Sequence, residues 1–243
     1  MSKLYVVGIG PGSREDMTLR ADRALGAAEV IIGYGVYVEL IRGFYPGKEY
    51  ITTPMTEETK RCRIALDTAA SGKAAALVCS GDSAVYGMAA LVLSLRGECD
   101  SPEVEVIPGV TAALGGGALL GAPLTHDFAV ISLSDRLTAW DKIERRIEAA
   151  ARADFTIVLY NPQSRTRPDT LKKACRTLLS LLPADRVCGI ARNVGRADES
   201  ARILTLSELE TAETDMFCTV FIGNSETKII NERMITPRGY KDV

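Results

Sequence analysis

The chain has 243 residues, 47% hydrophobic and 25% charged, the balance of an ordinary globular protein with room for one large or two modest domains. Its 29 basic and 31 acidic residues leave a net charge of -2, which gives no global reason to bind nucleic acid. No apolar run reaches the roughly 20 residues of a membrane span; residues 109–123 come nearest and are broken by Gly115, Gly116, Gly117 and Gly121.

In chain order, the apolar run at 4–9 predicts a strand. Residues 18–28 predict a helix with Thr18 as its N-cap. A short strand at 30–32, an amphipathic helix at 57–71, a buried strand at 74–79, a helix at 88–96 and a strand at 104–107 follow. Strands alternating with helices predict a parallel sheet with crossover helices. PGVTAALGGGALLGAP, residues 108–123, is nearly free of charge and rich in Gly and Ala. Small residues allow close packing but lower helix propensity, so the domain junction is placed near the end of this stretch, dividing the chain into 1–118 and 119–243. Beyond it come strands at 128–133, 155–160 and 187–191 and helices at 139–152 and 169–182. The last two strands, 202–206 and 218–222, have little helix between them, so the second sheet is expected to be mixed.

The six cysteines, Cys62, Cys79, Cys99, Cys175, Cys188 and Cys218, form no CxxC pair and are read as reduced core residues. The single histidine, His126, rules out a site built from several histidines, and no metal is expected. Met1-Ser2-Lys3 opens directly on a strand-like run with no secretory pattern, so a cytoplasmic location is expected.

VVGIGPG, residues 6–12, invites a dinucleotide-binding reading. A fingerprint of that kind needs a third glycine at position 13 and an acidic residue closing the next strand. The chain has Ser13 and Gly33 there, and Pro11 lacks the N–H that a pyrophosphate would need. What remains is a strand followed by a rigid loop almost without side chains. CSGDSAVYGMA (79–89), IPGVTAA (107–113) and LYNPQS (159–164) repeat the arrangement. Ligands of open α/β sheets bind outside the carboxyl ends of strands, so four such loops point to one shared crevice.

Together these four stretches resemble the tetrapyrrole (precorrin) methylase family. Its G-x-G-P-G loop matches Gly8–Gly12, its G-D-P-x-x-Y/F motif matches Gly81–Tyr86 with Ser83 in place of proline, and its P-G-V/I-S/T-A/S element matches Pro108–Ala112. The resemblance implies two α/β domains, the first mainly parallel and the second mixed, with an interdomain cleft, in the manner of class III S-adenosylmethionine (SAM) methyltransferases. It also implies a homodimer; the balanced charge and the lack of a long apolar run predict no nucleic-acid or membrane partner. PLTHDFAVISLSD (123–135) and LYNPQSRTR (159–167) are similar to the branch that methylates C17 of precorrin-3B or cobalt-factor III with ring contraction. Methylation at C11, C20 or C2 stays open, as does an RNA- or protein-methylating relative, or a non-catalytic nucleotide-binding module.

Carried over residue by residue, the resemblance puts Gly10 and Pro11 on the floor of the SAM site. Ser80, Gly81, Asp82 and Val85 would meet the amino-acid part of SAM, which leaves as S-adenosylhomocysteine. Thr111 and Ala112 would lie close by, and Tyr160, Asn161 and Ala191 would approach the adenine. Asp82 is read either as an acceptor for the SAM ammonium group or as a turn residue capping the next helix. Contraction needs an acid or base; His126, Ser132 and Asp135 are the candidates, with Asp127 and Ser134 beside them, and a purely structural His126 stays open. Substrate carboxylates would pair with arginines. Arg136, Arg165 and Arg167 are favoured over Lys60, Arg61, Arg63, Arg192 and Arg196.

Overall fold

The computed structural model describes residues 3–98 and 100–240, so Cys99 lies outside the described residues. The chain divides into two compact units, 1–111 and 112–243.

The first unit holds β1 (Lys3–Gly8), α1 (Leu19–Ala27), β2 (Val30–Tyr34), α2 (Gly35–Arg42), β3 (Glu49–Thr53), α3 (Glu58–Ala70), β4 (Ala75–Cys79), α4 (Ala89–Arg96) and β5 (Glu103–Ile107). Its five strands run in the order β3-β2-β4-β1-β5, and each neighbouring pair is parallel. Side chains alternate across a strand, and both faces are covered. Val7, Ile31, Ala76 and Val78 pack under α1 and α2 with Ala21, Leu25, Val38 and Ile41. Leu4, Val6, Val30, Ile32 and Leu77 pack under α3 and α4 with Cys62, Ala65, Ala69 and Val92. Every residue of β4 is buried, which explains its unbroken apolar run. Thr18 caps α1 as expected, its Oγ1 accepting from Ala21 N at 3.1 Å.

The second unit holds α5 (Ala112–Leu120), β6 (Gly121–Ala122), β7 (Phe128–Ser132), α6 (Trp140–Arg152), β8 (Thr156–Tyr160), α7 (Thr170–Leu179), β9 (Val187–Arg192), β10 (Ser200–Thr205), α8 (Leu206–Leu209), β11 (Cys218–Ile222), β12 (Lys228–Ile230) and β13 (Arg233–Ile235). The main sheet runs β10-β9-β11-β8-β7 and is mixed. β7 is parallel to β8, and β11 is antiparallel to both β8 and β9; β7, β8 and β9 therefore end at the same edge. One face is covered by α6, α7 and α8 over Ile157, Leu159, Cys188 and Ile190. α5 lies over Val158, Ala191 and Phe221 on the other. Three further strands form a small sheet, β12-β13-β6.

The helix α5 is built from the stretch read as a junction, and the division at Thr111/Ala112 precedes the expected one at 118/119. Its glycines fit it to the sheet: a Cβ on Gly116 would sit 2.9 Å from the Ala191 Cβ, and one on Gly117 would sit 3.2 Å from Leu124. Close packing outweighs the propensity cost of about 1 kcal/mol per glycine. The five described cysteines are free and buried. Burial pushes the Cys62 and Cys218 thiols up to about 11, which keeps them protonated and unreactive. Among the described residues no helix is long and apolar enough to cross a membrane.

Candidate functional site

In the first unit, the chain runs outward from β1 to β2 and β3, then returns to place β4 beside β1 and β5 on its far side. This is a topological switch point, where open sheets take their ligands. The loops leaving β1, β4 and β5 meet there, backbone on backbone. Gly10 and Gly81 form an isolated antiparallel bridge, Gly10 N donating to Gly81 O at 3.1 Å and Gly81 N to Gly10 O at 2.8 Å. Both sit at positive φ, +77° and +68°, where glycine is unstrained. A Cβ on Gly8 would lie 2.7 Å from Gly109 N and Gly81 O, and one on Gly109 would lie 2.2 Å from Gly81 O. The G-x-G-P-G loop does not open a helix: α1 starts at Leu19. Pro11 is buried and Ser80 half-buried, while Val85 is exposed.

Asp82 locks this corner. Its Oδ1 accepts from Ala84 N at 2.7 Å and Val85 N at 2.9 Å, and its Oδ2 accepts from Gly109 N at 2.9 Å. Burial pushes its pKa up, but the amides of Gly109, Ala84, Val85 and Ser83 outweigh burial and hold it below the ordinary carboxylate value. Ser83, which stands where the family has proline, is fully buried and donates its hydroxyl to Ile107 O at 2.8 Å. That bond ties the β4 loop to the end of β5, so the departure from the motif is compensated. Thr111 closes the unit, half-buried.

In the second unit the edge is built from side chains. The Tyr160 hydroxyl, at the end of β8, accepts from Ala113 N in the first turn of α5 at 2.6 Å; Ala112 begins that helix. Asn161 follows at φ +55°, a left-handed position that asparagine tolerates better than most residues. Its Nδ2 donates to Ser132 Oγ at 2.9 Å, and Ser134 N donates to the same oxygen at 3.2 Å. Ala191, near the end of β9, is fully buried among Ala113, Val158 and Phe221.

The loop after Asn161 is folded back on itself by the bonds between Ser164 and Arg167. The Gln163 side chain pins it, donating to Pro168 O and accepting from Thr214 N and Oγ1 at 3.0 and 2.6 Å. Arg167 Nη1 donates to Leu133 O at 3.4 Å, and Arg167 Nε stands 3.9 Å from Asp135 Oδ1. Arg165 and Arg136 are exposed on their loops.

Ser132, Asp135, Asn161 and Arg167 are thus brought to one edge. His126 is not: it is exposed and precedes β7, whereas Ser132 ends it. The strand alone separates them by roughly 13 Å at about 3.3 Å per residue. Two arginines named near the loops are engaged elsewhere. Arg61 is buried, donating to Thr53 Oγ1 at 2.8 Å and Pro54 O at 2.6 Å. Arg192 is held by Asp215 at 3.0 and 3.1 Å. The roles of Gly8, Gly109, Ser83 and Gln163 were not anticipated, although all four lie within the quoted motifs.

A family model for tetrapyrrole (corrin/porphyrin) methylases matches residues 3–210. The chain belongs to this family. A Salmonella typhimurium relative, named probable cobalt-factor III C(17)-methyltransferase, is 45% identical over 98% of this chain and 99% of its own length. A Sinorhizobium relative, named precorrin-3B C(17)-methyltransferase, is 40% identical over 98% of this chain and 96% of its own. The crystal structure of the methyltransferase CobJ superposes with a TM-score of 0.89 at 33% identity, covering 96% of this chain and 99% of that one. The two-unit α/β architecture is that of the family.

Proposed function

We propose that this protein is a SAM-dependent C-methyltransferase of cobalamin biosynthesis, methylating C17 of cobalt-factor III or precorrin-3B with ring contraction. The observation that carries this reading is the 45% identity, running almost end to end, to the relative named for that reaction with cobalt-factor III.

The residues present suit SAM. A sulfonium with a flexible amino-acid tail needs close backbone approach and a fixed negative charge. The glycine-packed loops supply the first, and Asp82, kept ionised by amides, supplies the second. Bound SAM supplies an electrophilic methyl group. The chain's own work is then alignment, and good orientation contributes roughly 7–11 kcal/mol to lowering a barrier. Gly10, Pro11, Ser80, Gly81, Asp82 and Val85 hold the amino-acid part, with Thr111 and Ala112 alongside. Tyr160 and the Asn161 backbone face the adenine, with the buried Ala191 in the core cluster beneath Tyr160. Arg136, Arg165 and Arg167 take substrate carboxylates, and Ser132 and Asp135 stand at the edge where contraction needs polar groups. As the family resemblance implies, the protein works as a homodimer; sedimentation tests the dimer.

The deciding assay incubates the protein with SAM and, side by side, cobalt-factor III and metal-free precorrin-3B. NMR of the product should show a new methyl group at C17 of a contracted ring. A methyl group elsewhere, or an uncontracted ring, rejects the C17 assignment. No binding of S-adenosylhomocysteine at millimolar concentration rejects the methyltransferase.

A further inference from the structure

Arg61, in α3, is the one charged side chain among the described residues that is buried outright, with 4% of its surface exposed. A guanidinium carries a full charge and five N–H groups. Nε donates to Thr53 Oγ1 at 2.8 Å, Nη2 to Pro54 O at 2.6 Å and Nη1 to the Met88 thioether at 3.9 Å. All three acceptors are neutral, and a thioether is a weak one. Among the described residues no carboxylate pairs with Arg61. Glu57, one turn back, is held by Lys60 at 2.9 Å, and Asp82 is filled by amides. A cation taken out of water is costly to bury without an opposite charge. The charge and two N–H groups are left for a ligand, and the acceptor that matches a planar fork is a carboxylate.

The place of Arg61 in the fold separates donor from acceptor. Thr53 ends β3, and Cys79 ends β4 with its Sγ accepting from Met88 N at 3.4 Å. Arg61 therefore stands at the carboxyl edge of the first sheet, where α/β proteins take their ligands. In the order β3-β2-β4-β1-β5 it lies on the β3 side of β4. The glycine-packed loops that suit SAM join β4 to β1 and β5 instead. A carboxylate beside Arg61 thus belongs to the large acceptor. Met88, half-buried, is the cover, a flexible thioether that an anion can push aside.

We propose that Arg61 binds a carboxylate of the tetrapyrrole, which displaces the Met88 thioether from Nη1 and supplies the missing counter-charge. This rests on the functional reading above and adds to it a substrate contact from the first unit. Thr53 and Pro54 fix the guanidinium, so the fork is set before the substrate arrives.

The test measures KM and kcat of the full-length protein for cobalt-factor III and precorrin-3B, S-adenosylhomocysteine affinity by calorimetry, and folding by urea denaturation. Arg61→Met, an apolar chain of similar length, should raise the tetrapyrrole KM about 10–100-fold, the loss expected for hydrogen bonds between charged groups, with kcat little changed. Arg61→Lys keeps the charge but not the fork, and should bring KM back to about 3–10-fold above the parent value. Arg63→Ala removes an exposed cation from the same helix and should leave KM within twofold. S-adenosylhomocysteine affinity should stay within twofold throughout. The proposal is overturned if Arg61→Met keeps the parent KM or, should that variant fail to fold, if Arg61→Lys does. It is overturned too if Arg63→Ala costs as much as Arg61→Met, since general attraction of an anion would then explain both. Weakened S-adenosylhomocysteine binding with an unchanged tetrapyrrole KM would assign Arg61 to the cofactor and overturn it likewise. In a parent that binds S-adenosylhomocysteine and methylates normally, any of these results sinks this proposal alone. A parent that binds no S-adenosylhomocysteine sinks both.

Discussion

The two units build their functional edges from different materials. In the first, backbone rests on backbone: Gly8 and Gly109 come so close to each other and to Gly81 that a Cβ on either would meet a main-chain atom. In the second, side chains reach across: Tyr160 to α5, Asn161 to Ser132, and Arg167 towards Asp135. A backbone-packed edge has almost no chemistry of its own and no tolerance, because main chain cannot turn aside as a rotamer can. A side-chain edge carries chemistry and loses it piecemeal. On the proposed function, such an arrangement suits a protein that holds one invariant donor and orients one elaborate acceptor.

The sharpest way to break this contrast is Gly109→Ala. The new Cβ would lie 2.2 Å from Gly81 O and 2.7 Å from Gly8 C. Overpacking against fixed backbone costs on the order of 3 kcal/mol, and the three loops must part. Urea denaturation should show the loss, and calorimetry should show S-adenosylhomocysteine binding gone. Gly35→Ala is the control, since nothing stands within 4 Å of a Cβ there. If Gly109→Ala matched that control, the first unit's edge would not be locked by its glycines.

Asp82→Asn comes next. The amide keeps one acceptor oxygen but turns an NH2 group towards amides that need acceptors, which costs about 1–3 kcal/mol. It also changes the response to acid. Because the folded pKa of Asp82 lies below its ordinary value, its contribution is complete above the unfolded pKa of about 3.9. That contribution drains away as pH falls through the lowered folded value. The variant should therefore lose stability less steeply below about pH 4 than the parent. Asp22, held low by Tyr45 and Arg14, keeps part of the acid limb in both. An unchanged slope would mean that the three amide bonds do not set the ionisation of Asp82.

Tyr160→Phe probes the second edge and should cost about 1 kcal/mol. It leaves Ala113 N without its 2.6 Å partner, so hydrogen exchange at that amide should speed up while the β8 core is unaffected. Equal slowing or speeding throughout the unit would show that the bond does not act locally.

How much of this could be read beforehand follows the same division. Elements with a strong period were legible: β4 from its apolar run, α6 from its amphipathic pattern, Thr18 as a cap. The loops of the first edge were legible as motifs, yet the reason for their glycines was not, since Gly8 and Gly109 lie 101 positions apart and meet only once β1 and β5 pair. The helix α5 was missed because three glycines in a row argue against a helix until the sheet beneath them is known. α2 and β3 were missed as well, being short elements in a stretch interrupted by Gly35, Gly43 and Gly47. The Asn161–Ser132 bond joins the ends of two neighbouring strands, a pairing that register alone reveals.

The smallest effect is expected at His126, where the sequence directed attention to the one imidazole in the chain. It lies ahead of β7 and exposed, while Ser132 and Asp135 lie beyond the other end of the strand. A general acid or base has to come within hydrogen-bond reach of the atom it serves, about 3 Å or one intervening water; the length of β7 alone, roughly 13 Å, exceeds that. Replacing an exposed side chain away from packing or charge pairs shifts stability by no more than about 0.5 kcal/mol. His126→Ala should therefore leave Tm and the rate of ring contraction close to the parent values, with Asp135→Asn as the contrasting variant, expected to slow contraction on the proposed assignment of Asp135. A tenfold loss of contraction in His126→Ala, with Asp135→Asn unimpaired, would move the chemistry to the opposite end of β7 and reverse the assignment of the functional edge.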